Sequence, residues 1–267
     1  MKDYKISKYK SSDKTEWDSF VDKAKNATFL FKRDFMDYHK DRFEDYSLLI
    51  LDEKNKLVAL IPANKTGTEV HSHQGLTFGG IILLAKQKVE STEIIISSLI
   101  SYFKSKNISC FRLKTLTEYY NKLSSNEIDY LISKKGATIY CKEMNLAIAL
   151  QNTFQVSKSK LKHYRKTCNT DISYQIENSF KPFWNNVLIP RLQEKHNTKP
   201  VHTLEEIESL AIKFPENIKQ YSVYFENEII AGITIFETEK VVKSQYGGTT
   251  DKGEKLRALD FLFIKLK

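Results

Sequence analysis

Residues 218–248 read IKQYSVYFENEIIAGITIFETEKVVKSQYGG. Ile218 to Phe225 is rich in β-branched and aromatic residues, Glu226-Asn227-Glu228 is a turn signal, and Ile229 to Glu237 runs back. Val241 to Tyr246 predicts a third strand, which Gly247-Gly248 ends. Short turns join antiparallel neighbours, so this stretch predicts an antiparallel hairpin followed by a third strand. Downstream, Leu256 to Leu266 is an apolar helix. Upstream, Leu204 to Phe214 is a helix whose Thr203 and Glu206 have capping-box spacing. Phe180 to Lys195 is another, with Phe183, Trp184, Val187 and Leu188 inward and Pro190 as a bend. Ile172 to Ile176 is a short strand, and Ser157 to Thr167 is a basic helix.

The same order stands earlier in the chain. A helix over residues 14–26 carries Trp17, Phe20, Val21 and Ala24 on one face, and a second begins near Arg33. Tyr46 to Leu51 and Leu57 to Asn64 flank the turn Asp52–Lys56. Then come the loop Gly75–Gly80, apolar Ile81 to Leu84, and a helix over Glu90–Ser105. Ile108 to Leu113 predicts a strand and Tyr119 to Lys134 a helix capped by Gly136. Thr138 to Leu150 alternates like a strand. Hairpin, glycine pair and apolar helix recur, which argues duplication. The expectation is an α/β (α+β) protein with mixed sheets and two similar domains, residues 1–152 and 153–267. The second copy stops at its last helix, where the first continues into further strands. That predicts a shortened product or an edge completed by another subunit, because an apolar helix must bury its face.

The 267 residues carry 42 Lys and Arg against 33 Asp and Glu, a formal charge of +9. This favours acidic partners or reflects a Lys-rich composition. No apolar run reaches the roughly 18 residues a membrane span needs. The start, Met1-Lys2-Asp3-Tyr4-Lys5, lacks a signal-peptide core, so a cytoplasmic protein is expected. Cys110 and Cys141 read as small buried residues, and Cys168, beside a basic stretch, lacks a partner base. No GxSxG, HExxH, P-loop or GxGxxG pattern occurs, and no metal is expected. His71 and His73, at i and i+2, would share one side of a strand. They line a cleft with Gln74, Gly75 and Phe78, hold the backbone locally, or ligate a metal.

Several short stretches carry a family likeness. They are Thr28-Phe29 with Phe35, Tyr38, His39 and Arg42-Phe43; Leu57–Pro62 and Gly75–Gly80; Arg165-Lys166, Arg191, His196 and Pro200-Val201-His202-Thr203; and Phe214-Pro215, Ala231-Gly232 and Ser244-Gln245-Tyr246. In these the chain resembles the GNAT-superfamily branch that includes Fem-type aminoacyl transferases and acetyltransferase-like proteins of surface-polysaccharide clusters. The resemblance implies tandem GNAT folds around a cleft. It also implies transfer of an acyl or aminoacyl group to an amine, by alignment and proton handling rather than through a covalent intermediate. His202, Gln245 and Tyr246 are then the catalytic candidates: His202 as base or donor, Tyr246 as acid to the leaving group, Gln245 as a hydrogen-bonding anchor. Gly247, Gly248, Lys252, Gly253, Lys255 and Arg257 are candidates for the pyrophosphate of acyl-CoA at a helix N-terminus. The plainer reading is a solvated basic turn. Arg165 and Lys166, on the basic helix, are candidates for an acceptor or for tRNA phosphates, or form a solvated face. The expected donor is acetyl-CoA or another acyl-CoA, and the acceptor a nucleotide- or lipid-linked amino sugar. The alternatives are an aminoacyl-tRNA donor with a cell-wall precursor, and a non-catalytic remnant or binding protein. A homodimer is compatible with both.

Overall fold

The computed structural model describes residues 4–150 and 155–266. The domain boundary expected at residue 152 lies outside them. The chain divides into two compact units, Met1–Cys141 with Thr238–Val241 and Lys142–Glu237 with Val242–Lys267.

The first unit contains β1 (Lys5–Lys8), α1 (Lys14–Lys23), α2 (Arg33–Met36), β2 (Glu44–Asp45), β3 (Leu48–Leu51), β4 (Leu57–Ile61), β5 (Asn64–Thr66), β6 (Glu69–His71), β7 (Ile82–Leu83), α3 (Val89–Ser105), β8 (Cys110–Arg112) and α4 (Glu127–Lys134). Antiparallel β1-β3-β4-β7 form one sheet; β2-β5-β6-β8 form another, in which β6 and β8 run parallel. The predicted hairpin is β3–β4. Asp52 closes its turn by accepting from the Lys54 and Lys56 amides, and Asn55 takes the left-handed conformation (φ 56°) that asparagine tolerates. Leu48, Ile50, Ala59 and Ile61 bury against Ile95, Leu99 and Phe103, one stripe of α3 at i, i+4, i+8.

The second unit contains α5 (Lys158–Thr167), β9 (Ile172–Glu177), α6 (Lys181–Phe183), a π-turn (Trp184–Leu188), α7 (Ile189–His196), α8 (Leu204–Lys213), β10 (Ile218–Phe225), β11 (Glu228–Glu237), β12 (Val242–Thr249), α9 (Asp251–Lys255) and α10 (Ala258–Leu266). Its sheet is antiparallel in the order β12-β11-β10-β9. Glu226 and Asn227 both have positive φ (52° and 63°), as a two-residue turn needs to match the strand twist. The Thr203–Glu206 capping box forms, with reciprocal bonds of 3.2 and 2.8 Å. Pro190 lacks an N–H and would collide with the carbonyl four residues back; the wider π-turn just before it relieves that conflict without ending the helix.

Several expectations change. Gly247-Gly248 lie inside β12 rather than ending it: Gly232 pairs with Gly248 and Ile233 with Gly247. Thr138–Leu150 is not a strand. Ile139, Met144 and Leu146 are exposed, because alternation supplies propensity but no described neighbour supplies a ladder. Tyr119–Lys134 is broken into a 3-10 turn (Glu118–Tyr120) and α4. Cys141 is exposed and Cys110 half-buried. The helix expected to lack a partner surface has one: Ala258, Phe261 and Leu262 of α10 bury against Val223, Ile230, Ala231 and Ile233.

Candidate active site

In the first unit the two candidate histidines part. Strand β6 ends at His71, whose Nε2 meets Glu69 at 3.4 Å. His73 turns inward and stacks on His39, ring centroids 5.2 Å apart and nearly parallel, with Phe43 edge-on. They therefore do not share a face, which removes the metal-pair geometry. The Gly75 amide donates to His73 Nδ1 at 3.2 Å, and His39 Nε2 meets the Gly75 carbonyl at 3.0 Å. Burial holds the His73 pKa down to about 3, with the nearby His39 adding to it. Gly75 is required here, since a Cβ would stand 2.1 Å from His39 Nε2. Gln74 is tied to Asn64, and Phe78 lies against Tyr120 at 4.8 Å. These residues hold a loop together.

In the second unit strand alternation sorts two faces. Val223, Ala231, Ile233 and Ile235 face α10. The opposite face carries Gln220, Ser222, Gly232, Thr234 and Tyr246 beneath α6 and the π-turn. There a Cβ on Gly232 would fall 2.5 Å from the Phe183 ring. This face is polar although buried. Trp184 Nε1 donates to Thr234 Oγ1 (3.4 Å), which donates to Gln220 Oε1 (2.7 Å), whose amide donates to the Tyr221 carbonyl (2.9 Å).

Tyr246 ends this network. Its ring is edge-on to Trp184 (5.1 Å) and its hydroxyl lies 2.6 Å from His202 Nδ1. The His202 amide, at 3.3 Å, and the Gln245 side chain also bond the hydroxyl. A phenol has one hydrogen to give, so with N–H donors on its lone pairs it donates to His202 Nδ1. Burial raises the Tyr246 pKa, and the phenol stays protonated. Gln245 is the extra residue of a bulge: Thr234 pairs with Tyr246 and Ile235 with Ser244. Bulges re-aim side chains. Gln245 Oε1 is buried without a hydrogen-bond partner among the described residues. The same unit holds a cavity of about 200 Å³ lined by Leu188, Arg191, Lys195, His196, Gly247 and Gly248, and its lining does not include His202, Gln245 or Tyr246.

The candidate anion loop is engaged elsewhere. Lys252 bridges Glu226 (3.0 Å) and Glu228 (3.2 Å). Gly253 accepts no side chain, because a Cβ would stand 2.2 Å from the Ile230 carbonyl; its amide donates to Thr250 Oγ1. Asp251 and Glu254 sit in the first turn of α9, both bonded to Arg191. Lys255 is exposed, and Arg257 has positive φ (54°) between α9 and α10, reaching Asp260 at 3.5 Å. Arg165 and Lys166 are exposed on α5 with Lys158 and Lys162.

The whole chain superposes on solved structures of one architecture. FemX aligns with 98% of this chain and 84% of its own, at TM-score 0.65 and 8% identity. L-PGS from Bacillus licheniformis aligns with 98% and 73%, at 0.59 and 14%. A domain from Agrobacterium fabrum, named as the C-terminal domain of a lysylphosphatidylglycerol synthetase, aligns with 96% and 73%, at 0.53 and 13%. The fold is that of the Fem-type transferases. No protein-family model and no curated protein matches the sequence.

Within this Fem-type fold, His202, Gln245 and Tyr246 meet although 42 or more positions separate the histidine from the pair. Sequence reading missed Trp184, Thr234 and Gln220. Trp184 was assigned to the core, and the polar residues at alternate strand positions were the available signal.

Proposed function

We propose that the chain transfers an aminoacyl or acyl group from an activated carrier to an amine, with Tyr246 handling the proton. The observation that carries this reading is the short Tyr246–His202 hydrogen bond beside Gln245 and the glycine edge of β12. The amine nitrogen attacks the carbonyl carbon of the carrier ester or thioester; the C–N bond forms and the C–O or C–S bond breaks. Tyr246 turns its hydrogen from His202 Nδ1 to the leaving atom, gives it up there, and recovers one from the new amide nitrogen. His202 is a positioning residue that holds the phenol, and Gln245 anchors a substrate N–H through its buried carbonyl oxygen. The FemX-like fold and the naming of one neighbour, from Agrobacterium fabrum, for a lysylphosphatidylglycerol synthetase accord with an aminoacyl group.

Between the two carriers, aminoacyl-tRNA is favoured over acyl-CoA. A pyrophosphate at the start of α9 would meet Asp251 and Glu254, and Lys252 is already neutralised. Among the described residues no carboxylate pairs with Lys158, Lys162, Arg165 or Lys166 of α5, whose Lys160 is the one bound, to Asp260. Binding of charged tRNA is expected to fall about 10²-fold between 50 and 200 mM salt, as about four phosphate contacts imply. Filter binding measures this. Tight CoA binding by calorimetry with no affinity for tRNA would reverse the choice.

Tyr246→Phe keeps the ring against Trp184 and removes only the hydroxyl. It is expected to lower transfer of a radiolabelled amino acid to an amine acceptor by about 10²-fold, and to cost about 1–3 kcal/mol of stability, because buried His202 loses the Tyr246 hydroxyl as a partner. An unchanged rate in a folded variant would remove Tyr246 from the chemistry.

A further inference from the structure

Residues 144–150 read MNLAIAL. Met144, Leu146, Ile148 and Leu150 alternate with Asn145, Ala147 and Ala149, the period of a strand with one bulky apolar side and one small side. The segment belongs to the second unit, and no strand pairs with it among the described residues. Its four bulky side chains are 85%, 88%, 56% and 62% exposed. A contiguous apolar row of this kind in water marks an interaction site. The same unit carries a surface of the complementary kind. Strand β12 is an outer strand of its sheet, bonded to β11 on one side only. An outer strand presents a row of backbone donors and acceptors to any further strand. Gly247 is exposed in β12, and even a Cβ there would have Ser244 Oγ at 3.6 Å as its nearest neighbour, so another backbone can approach closely. The cavity of about 200 Å³ adjoins this strand at Gly247 and Gly248, and Leu188, Leu192 and Leu259 give it apolar walls. It exceeds the roughly 150 Å³ of an apolar cavity that takes up benzene, so an aliphatic side chain fits. Phe263, one turn beyond Leu259 on α10 and 52% exposed, continues the apolar stripe.

We propose that residues 144–150 of one copy of this chain add as a strand to the free edge of β12 in a second copy, with an aliphatic side chain in the cavity, and that the exchange is reciprocal across a two-fold axis. Backbone hydrogen bonds along β12 give the attachment, and the side chain in the cavity fixes the register. The area is sufficient. Four aliphatic side chains of roughly 100 Å² each, counted with the surfaces they cover in two reciprocal contacts, come to about 1,600 Å², the size of a stable interface. An extended peptide from another protein would meet the same edge but would leave the row of residues 144–150 in water. A second copy covers both surfaces at once. The exchange is independent of the transfer reaction, and its test uses no activity.

Sedimentation equilibrium of the full chain over a concentration series is expected to show a monomer–dimer equilibrium. Leu146→Asp changes a side chain that stands in water in the single chain, so the fold tolerates it. It is expected to weaken the dimer at least about 10²-fold, since each dimer loses two buried leucines. Ile212→Asp, at an equally exposed position of α8, is the control and should leave the dimer as tight as wild type. Hydrogen exchange read by ¹⁵N–¹H spectra gives the place of contact without any variant. The β12 amides that do not bond β11 are expected to exchange more slowly as the dimer forms. A monomer at every concentration would overturn the proposal. A dimer equally tight in Leu146→Asp, or one whose formation leaves the β12 amides unprotected, would place the contact elsewhere and overturn it as well. Protection of those amides in a monomer would mean that the segment folds back onto its own sheet, which would overturn the exchange.

Discussion

Gly79→Ala is expected to destabilise the first unit by more than about 3 kcal/mol, beyond ordinary overpacking. A Cβ at this position would stand 1.4 Å from the Ser72 carbonyl oxygen and 2.6 Å from Ser72 Oγ. Neither neighbour is free to retreat. The Ser72 amide donates to the Arg112 carbonyl at 2.9 Å, Ser72 Oγ accepts from the Lys114 amide at 2.7 Å, and the Gly79 amide donates to the Lys114 carbonyl at 2.7 Å. These bonds tie the glycine loop to the chain just after β8, so the clash is with backbone held on both sides. Gly67→Ala is the control. It has positive φ (59°) but open space around it, and should cost only about 1 kcal/mol for the left-handed backbone. Urea unfolding followed by far-UV circular dichroism separates the two. A Gly79→Ala midpoint equal to that of Gly67→Ala would show that the loop yields.

Acidification is expected to weaken the same unit through His73. Its folded pKa lies near 3 because burial disfavours the imidazolium, and its unfolded pKa is about 6.5. Between these values the unfolded chain holds more protons. Stability is therefore complete above pH 6.5 and falls as the pH drops toward 3. From pH 7 to pH 5 the loss is about 2 kcal/mol, from about 1.4 kcal/mol per pH unit below the unfolded value. Protonation would also break the bond in which Nδ1 accepts from the Gly75 amide. His73→Asn keeps an acceptor near that position and cannot titrate. Its unfolding free energy should lack this part of the slope between pH 7 and pH 5. Equal slopes in wild type and variant would place the acid sensitivity elsewhere.

Some elements were legible because one physical signal decided them. The β10–β11 hairpin followed from two β-rich runs around Glu226-Asn227-Glu228; β10 spans the residues expected, and Glu228 opens β11 instead of closing the turn. The α8 start followed from Thr203 and Glu206, whose bonds are local. The π-turn was only foreshadowed by Pro190, because the sequence announces the conflict but not how the backbone resolves it. Thr138–Leu150 misled because a strand is a relation between segments, and alternation describes only one of them.

The candidate site divides in the same way. Alternation along β10, β11 and β12 is enough to put Gln220, Thr234 and Tyr246 on one face once the register is known, and residue chemistry alone makes a tyrosine, a histidine and a glutamine eligible for proton transfer. The sequence by itself therefore determined the α/β class, most element types and the eligible residues, since these rest on periodicity and on contacts within a few positions. Tertiary structure decided the rest. It brought His202 to Tyr246, split His71 from His73, committed Lys252 to the Glu226–Glu228 turn, and supplied the sheet surface that α10 covers. Each of these depends on distances between segments far apart in the chain, and no local propensity encodes them.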